Sequence, residues 1–201
     1  TTFIGFRGSC WTMILDFDNY IDTLKETSKD SDNDEYMIDL ENPVINYDLF
    51  QKGFFEYYNK LVACSIDALV NIDDEWFFIE FKNGEINSKQ KKNISEKVGH
   101  SIFSFMDNIS EKTIYCQNKV NFILVYNEEK NKPKNKNKKL QADEYQFSKE
   151  RQALKSHWPG IKKDIPLFQL GRYEKVYFKK VYTYTEKEFE KFVINRLAKT
   201  A

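Results

Sequence analysis

CSIDALVNIDDEWFFIEFKNG, residues 64–84, contains two apolar runs typical of β-strands, separated by a polar, Asp-rich turn. We predict strands at residues 61–71 and 76–82, with Asn83-Gly84 ending the second strand. If residues 72–75 form the loop, Asn71 pairs with Trp76 and Asp67 comes to lie opposite Glu80. Facing residues of an antiparallel pair share one side of the sheet, with Cβ atoms about 5 Å apart.

A third charged residue joins this pair. Lys82 lies two positions after Glu80, so its side chain emerges on the same side of the strand. Two facing carboxylates among aromatic and aliphatic neighbours repel each other and are poorly solvated, which raises the pKa of one of them. A divalent cation removes that repulsion, and hard cations such as Mg²⁺ prefer oxygen ligands. The local sequence therefore predicts a hydrolytic metal site, at which a bound ion activates water and polarises a phosphoryl group.

The segments around this hairpin predict two helices and one buried strand. Residues 47–59 have helical periodicity, with an apolar stripe formed by Phe50, Phe54, Tyr57 and Leu61. A second amphipathic helix is indicated by Ile94, Val98, Ile102, Phe105 and Ile109. Residues 120–126, VNFILVY, are short, continuous and apolar, as in a fully buried strand. This order of elements predicts an α/β fold in which helices flank a mixed central sheet.

The two ends of the chain give weaker patterns. We predict a helix at residues 11–24 and a short strand at 36–40, ended by Pro43. The lysine-rich segment NEEKNKPKNKNKK, residues 127–139, is typical of a mobile loop. A helix at 143–156, strands near 166–170 and 175–183, and a closing helix follow. That last helix begins at Thr185, with Glu188 in capping-box spacing. We interpret residues 1–201 as one domain with a C-terminal strand-strand-helix extension.

The hairpin resembles the PD-(D/E)XK nuclease superfamily, which includes restriction enzymes, RecB-type exonuclease domains and Holliday-junction resolvases. Its pattern is an acidic residue entering a hairpin, then an apolar strand ending in (D/E)-x-K. The matching residues here are Asp67 in SIDALV and Glu80-Phe81-Lys82 in WFFIEFKNG, while Ile66 stands where the family often has Pro. The resemblance implies a restriction-endonuclease-like αβββαβ core at about residues 46–126. It also implies a Mg²⁺-dependent nuclease, with Mn²⁺ as an alternative ion and DNA favoured over RNA as substrate.

The resemblance also implies roles for individual residues. Asp67 and Glu80 would bind the metal with the Phe81 carbonyl, and Lys82 would position the attacking water. Family members often carry a further Glu on the preceding helix, and Glu56 in GFFEYY takes that place. RecB-like members have a Gln followed four residues later by Tyr, which here corresponds to Gln90 with Ile94 at the Tyr position.

Composition adds limits on location and partners. Lys+Arg and Asp+Glu number 31 each, so a nucleic-acid surface has to be a local patch, for which we propose Lys89, Lys91 and Lys92. Three widely spaced Cys residues predict neither zinc binding nor disulfides and favour a reducing compartment. We expect no signal peptide, no membrane segment and a cytoplasmic location, and the sequence is compatible with a homo-oligomer.

Other interpretations remain open at this stage. The three-residue set of Asp67, Glu80 and Lys82 also fits a buried salt bridge in a purely structural domain, or a catalytically silent nuclease fold that binds nucleic acid or protein. Residues Asp30, Asp32, Asp34 and Glu41 have EF-hand spacing, but Glu35 replaces the required Gly. Residues 130–139 hold six lysines that suit either phosphate contacts or a solvated loop. Neither His100 nor His157 has an adjacent nucleophile in the sequence, so a Cys/His mechanism has no support.

Overall fold

The computed structural model describes residues 14–132 and 166–197, which form a mixed α/β structure. Its central sheet has six strands in the order β1-β4-β5-β6-β7-β8. These are β1 (Ile21–Thr23), β4 (Pro43–Asn46), β5 (Ala68–Ile72), β6 (Glu75–Lys82), β7 (Val120–Tyr126) and β8 (Lys180–Thr185). Strands β1 to β6 of the sheet pair antiparallel, whereas β6, β7 and β8 pair parallel. A separate small hairpin joins β2 (Lys29–Asp30) and β3 (Glu35–Tyr36).

Helices flank this sheet. They are α1 (Leu24–Thr27), α2 (Tyr47–Tyr57), α3 (Ser88–Asn108), α4 (Thr113–Lys119), α5 (Glu128–Asn131) and α6 (Glu186–Leu197). The larger core lies between the sheet and α2 and α3, where Phe50, Phe78 and Phe105 are fully buried. A second core lies on the other face of the sheet, where Phe77 and Phe81 pack with Phe189 and Phe192 of α6. Of the described residues, none belongs to a helix both long and apolar enough to cross a membrane.

The β5–β6 hairpin confirms the predicted register. Asn71 pairs with Trp76, and Ala68 with Ile79. The turn is tighter than predicted, because Ile72 and Glu75 also pair and only Asp73 and Asp74 form the loop. Both loop residues have positive φ, 54° and 63°, as a two-residue turn that matches strand twist requires. The first strand starts at Ala68, not at residue 61, and Asp67 immediately precedes it.

The central helices and strand also follow their sequence patterns. Strand β7 coincides with residues 120–126 and is buried throughout. The predicted stripe of α3 is buried from Ile94 to Ile109. The stripe of α2 is correct only in its first half, since Phe50 and Phe54 are buried whereas Tyr57 and Leu61 are 63% and 95% exposed. The helix ends at Tyr57, so the chain leaves the core before Leu61.

The N-terminal predictions were wrong. In place of a helix at 11–24, residues 17–20 form a short 3-10 turn and residues 21–23 form strand β1. Residues 11–13 lie outside the described part of the chain. The predicted strand at 36–40 is limited to Glu35–Tyr36, and a strand begins at Pro43, where we expected an end. Proline is tolerated there because it is the first residue of its strand.

The C-terminal region is simpler than predicted. The strand near 166–170 is absent from the described residues, where a 3-10 turn (Leu170–Tyr173) is found, and the next strand is Lys180–Thr185. Within residues 166–197 the extension therefore has one strand and one helix, in place of the predicted strand-strand-helix. The capping box is confirmed, because Thr185 Oγ1 accepts from Glu188 N–H and Glu188 Oε2 accepts from Thr185 N–H. The loop predicted at 127–139 begins with helix α5, and its residues 133–139, like the predicted helix at 143–156, lie outside the described residues.

The order of the core differs from αβββαβ in one strand. Along the chain it runs β4, α2, β5, β6, α3, α4, β7, so only two strands separate the two long helices. The third antiparallel strand, β4, precedes α2 and pairs with β5 at Ile45–Leu69 and Asn46–Ala68. This arrangement still places the start of β5 and the end of β6 beside α2 and α3.

Candidate active site

Asp67 is held by backbone contacts at the start of β5. Its N–H donates to the Ile79 carbonyl at 3.2 Å, and its own carbonyl accepts from Tyr47 N–H at 3.0 Å. The carboxylate turns back toward β6, where Oδ2 accepts from Phe81 N–H at 2.6 Å. A charged acceptor makes this hydrogen bond stronger than a neutral one. The Asp67 side chain is thereby fixed beside the end of β6, with 15% of its surface exposed.

Glu80 lies next to Asp67 and has no solvent-exposed surface. Its Oε1 is 2.6 Å from Lys82 Nζ, so the structure brings together the three side chains that the hairpin register predicted. Lys82 keeps 18% of its side chain exposed. The group is thus buried at Glu80 and open to solvent at its two neighbours. Solvent can therefore reach the carboxylate pair from the side of Asp67 and Lys82.

Lys97 of α3 is a fourth member of the group, and the sequence analysis missed it. Its Nζ lies 2.9 Å from Asp67 Oδ1 and 2.9 Å from Glu80 Oε1. It also donates to Glu80 Oε2 at 3.1 Å. The available signal was helical spacing, because Lys97 falls between Ile94 and Ser101 on the buried face of α3. A lysine within an otherwise buried stripe needs a partner charge.

A second missed residue is Asp48, in the first turn of α2. Its Oδ1 accepts a hydrogen bond from the hydroxyl of Ser65. Asp48 as a whole residue is exposed, but protein atoms surround its carboxyl group. This desolvation raises the pKa of Asp48, and repulsion from Asp67 raises it further. A third carboxylate therefore lies within electrostatic range of the site.

Glu56, the α2 residue predicted for this place, is not brought to the site. It lies in the last turn of α2 with an exposed side chain, eight residues after Asp48. The prediction followed the family spacing, whereas the start of α2 is the end that approaches Asp67. Tyr47 fixes that end, because its N–H donates to Asp67 O and its hydroxyl donates to Ser101 O of α3.

Burial and the neighbouring charges have opposite effects on the pKa values of Glu80 and Lys97. Burial raises the pKa of Glu80 to about 7, repulsion from Asp67 adds to this, and attraction by Lys97 and Lys82 opposes it. For Lys97, burial favours the neutral amine, but the carboxylates of Glu80 and Asp67 outweigh it and raise the pKa. Burial outweighs the attraction of the two ammonium groups within 2.9 Å of Oε1, so the pKa of Glu80 stays above its usual range.

A pH dependence of stability follows for the metal-free protein. Between the ordinary pKa of 4.5 and about 7, the folded state binds a proton at Glu80 that the unfolded state has lost. Stability should therefore fall as pH rises through this interval, by roughly 1–3 kcal/mol, because each pKa unit corresponds to 1.36 kcal/mol. Urea unfolding at pH 5 and pH 8 measures this loss. In Glu80→Gln, which cannot titrate at this position, the loss should be smaller, and equal losses in both proteins would contradict the assignment.

A cleft of about 370 Å³ opens beside the site. One wall is formed by the end of β6, including Phe81 and Lys82, together with Asp67 and Gln90. The opposite wall is the β2–β3 hairpin region, with Lys29, Asp30, Asp32 and Asn33. Asn83 ties the walls together, because its Nδ2 donates to Asp30 Oδ2 and Glu35 Oε2, both at 2.9 Å. The cleft can admit a ligand the size of a nucleotide.

The predicted nucleic-acid-binding residues form the first turn of α3. Lys89 and Lys92 are exposed, Lys91 is half-buried, and Gln90 lines the cleft. The cap residue Asn87 accepts hydrogen bonds from Lys89 N–H and Gln90 N–H through Oδ1. The positive end of a 21-residue helix dipole, with three lysines among the first five residues, faces solvent next to the cleft.

The oxygen atoms available as metal ligands fit a hard cation only in part. Glu80 Oε1 is buried and has ion-pair partners, yet it accepts no hydrogen bond of normal geometry from the described residues. Asp67 Oδ1 faces the same point, since Lys97 contacts both atoms. Among residues 14–132 and 166–197, no three His, Cys, Asp or Glu side chains are placed to share one ion. A metal here would therefore rely on Asp67, Glu80, backbone oxygen and water.

The structure also explains two other groups of residues, the EF-hand-like acidic residues and Cys64 with His100. Asp30, Asp32 and Asp34 belong to the β2–β3 hairpin, in which Asp34 pairs with Lys29 at 2.8 Å, and Glu41 lies between β3 and β4. The segment is followed by strand β4, where an EF-hand has its second helix. Cys64 has a spatial neighbour that the sequence did not reveal, since its Sγ lies 3.3 Å from His100 Nδ1. Burial raises the pKa of the Cys64 thiol, and repulsion from Glu96 adds to this. A protonated thiol is a poor nucleophile, so this pair gives no support to a Cys/His mechanism.

The chain matches no family model, no curated protein and no solved structure. Its function therefore has to be argued from the geometry of Asp67, Glu80, Lys82 and Lys97.

Proposed function

We propose that this chain is a metal-dependent nuclease that hydrolyses phosphodiester bonds of nucleic acid. One observation carries the proposal. Asp67 and Lys82 line a nucleotide-sized cleft, and Lys82 Nζ lies 2.6 Å from Oε1 of the fully buried Glu80. Burying charged side chains costs free energy, and only pairing with opposite charges offsets that cost. Asp67, Glu80 and Lys82 are the set of groups that metal-assisted phosphoryl transfer requires.

Each residue has a separate role in this reaction. Asp67 and Glu80, with the Phe81 carbonyl, would hold a Mg²⁺ or Mn²⁺ ion. When bound, the ion lowers the pKa of water and stabilises charge that develops on the phosphate. Lys82 is partly exposed and lines the cleft, so its ammonium can orient the attacking water or bind a phosphate oxygen. Asp48 adds negative charge that favours cation binding or orients a water molecule.

The first turn of α3 supplies the substrate contacts in this proposal. Lys89 and Lys92 are exposed beside the cleft and can neutralise backbone phosphates, while Gln90 reaches the cleft itself. The chain as a whole is electrically neutral, so this local patch provides the attraction for a polyanion. DNA is favoured as substrate by the resemblance to the PD-(D/E)XK superfamily alone.

The arrangement of elements supports the same proposal. A helix, an antiparallel hairpin, a second helix and a parallel strand follow one another as α2, β5–β6, α3 and β7. The acidic residues lie at the start of β5 and near the end of β6. Both positions agree with a restriction-endonuclease-like core, which we propose as the finer description of the fold.

A cleavage assay tests the proposed function. Single-stranded, duplex and branched DNA, together with RNA, are incubated with the purified protein in Mg²⁺, in Mn²⁺ and in excess EDTA. We expect at least one of these substrates to be cut with metal and none with EDTA. Cleavage that persists in EDTA, or no cleavage of any substrate with either metal, would contradict the proposal.

One observation favours a second candidate, a catalytically silent domain of the same architecture. Lys97 neutralises Asp67 and Glu80 without any metal, through contacts of 2.9 Å to each. The cleft wall also carries Asp30, Asp32 and Glu85, which would repel a phosphate backbone. Such a domain would bind a protein or nucleic-acid partner elsewhere on its surface, and it would cut no substrate in the assay above.

A further inference from the structure

Lys97 occupies the position between the two carboxylates of the proposed metal site. Its Nζ contacts Asp67 Oδ1 and both oxygens of Glu80, at 2.9, 2.9 and 3.1 Å. We propose that Lys97 is an internal cation that holds the Asp67–Glu80 pair together in the metal-free protein and gives up this position when a divalent cation binds. This inference rests on the proposed function, because it concerns the same metal site.

The oxygens that a metal would use are the oxygens that Lys97 contacts. Asp67 Oδ2 accepts from Phe81 N–H at 2.6 Å, and Oδ1 accepts from Lys97 Nζ at 2.9 Å. Glu80 Oε1 lies 2.6 Å from Lys82 Nζ and 2.9 Å from Lys97 Nζ. A divalent cation held by Asp67 and Glu80 would therefore compete with the Lys97 ammonium for these oxygens.

The balance of charges also favours replacement of the Lys97 ammonium by a divalent cation. Asp67 and Glu80 carry two negative charges when ionised, and Lys82 and Lys97 carry two positive charges. A divalent cation added to this neutral group would leave an excess positive charge next to a fully buried glutamate, which is unfavourable in a low-dielectric environment. If Lys97 moves toward solvent, the two carboxylates balance the ion directly.

The structure allows Lys97 to move without disturbing the fold. Its backbone is held in α3 between Ile94 and Ser101, both fully buried, and Ser101 Oγ accepts from Ile66 N–H at 3.0 Å. This anchor fixes the distance between α3 and the segment that precedes Asp67. The lysine side chain itself is a flexible four-carbon stem. It keeps 16% of its surface exposed, so its ammonium has a route to water.

Substitution of Lys97 by methionine tests the exchange with two measurements that do not depend on catalysis. The unfolding temperature is recorded in EDTA, and Mn²⁺ binding is measured by isothermal titration calorimetry. Without metal, Lys97→Met should unfold on the order of 5–10 °C below the wild type, because the buried carboxylates lose their shared cation. Its dissociation constant for Mn²⁺ should be lower by about tenfold, since no internal cation competes. Lys187→Met, which removes an exposed lysine of α6, serves as the control and should match the wild type in both measurements.

Each outcome has a definite meaning. Equal or weaker Mn²⁺ binding by Lys97→Met than by a metal-binding wild type overturns the exchange and leaves the proposed nuclease intact. Binding by the variant but not by the wild type supports the exchange and favours the silent domain. Absence of binding in both removes the metal site and the inference together. Should Lys97→Met not fold, Lys97→Gln is titrated under the same criteria, while Lys97→Arg, which keeps the charge, should bind Mn²⁺ no more tightly than the wild type.

Discussion

Asp67→Asn should lower the rate of Mg²⁺-dependent cleavage by about a thousandfold, equivalent to about 4 kcal/mol of transition-state stabilisation. The amide is nearly isosteric with the carboxylate and can still accept the hydrogen bond that Phe81 N–H donates at 2.6 Å. It cannot supply the negative charge that holds a cation or Lys97. The backbone contacts of Asp67 with Ile79 and Tyr47 do not involve the side chain, so the fold should persist.

Asp74→Asn provides a matched control for this experiment. It makes the same chemical change in the β5–β6 turn, where Asp74 forms an exposed ion pair with Lys119 at 2.6 Å. An exposed pair of this kind contributes about 0–1 kcal/mol, so neither stability nor cleavage should change much. Rates are compared at matched substrate and metal concentrations, and far-ultraviolet circular dichroism verifies folding. Cleavage by Asp67→Asn at the rate of the control would remove Asp67 from the mechanism.

The hairpin was predictable because its information is local. Successive side chains of a strand point to opposite faces of the sheet, so the sequence predicts which of them share a face. The position of the polar Asp-rich turn then predicts the pairing of Asn71 with Trp76. Strand β7 was predictable for a similar reason, since a short apolar run with no polar face can only be buried. From these two elements alone, the convergence of Asp67, Glu80 and Lys82 could be deduced.

Helical spacing could place Lys97 on the buried face of α3, but local pattern could not show which charges Lys97 and Asp48 meet. Lys97 and Asp48 reach the carboxylates only because α3 and α2 cross the sheet at particular points, which depends on long-range contacts such as Tyr47 to Ser101. The choice of Glu56 failed for this reason, because sequence spacing does not tell which end of α2 approaches the hairpin. The prediction for the N-terminal segment was wrong for a different reason. Residues 21–23 form a strand only through pairing with β4, a tertiary effect that overrides local preference.

Lys82→Met should lower kcat by about 10²- to 10³-fold while binding Mn²⁺ at least as tightly as the wild type, because the lysine orients water or phosphate and its positive charge opposes the ion. This separates it from Asp67→Asn, which should lose both properties. Glu80 retains Lys97 as an ion-pair partner at 2.9 Å, so the buried carboxylate is not left without a counter-charge. Single-turnover cleavage and calorimetric Mn²⁺ titration measure the two properties separately.

The same variant distinguishes catalysis from a purely structural salt bridge. If Lys82 serves only to neutralise Glu80, its replacement by an apolar side chain of similar length should be tolerated or even stabilising, and cleavage should be unaffected. Lys180→Met, at an exposed position of β8 in the same sheet, controls for loss of one positive charge and should cleave as the wild type does. A Lys82→Met protein that is as active as this control would assign Lys82 to the structure. A stable, metal-binding but inactive Lys82→Met protein would support a role of the ammonium in catalysis, since neither folding nor the ion would then have been lost.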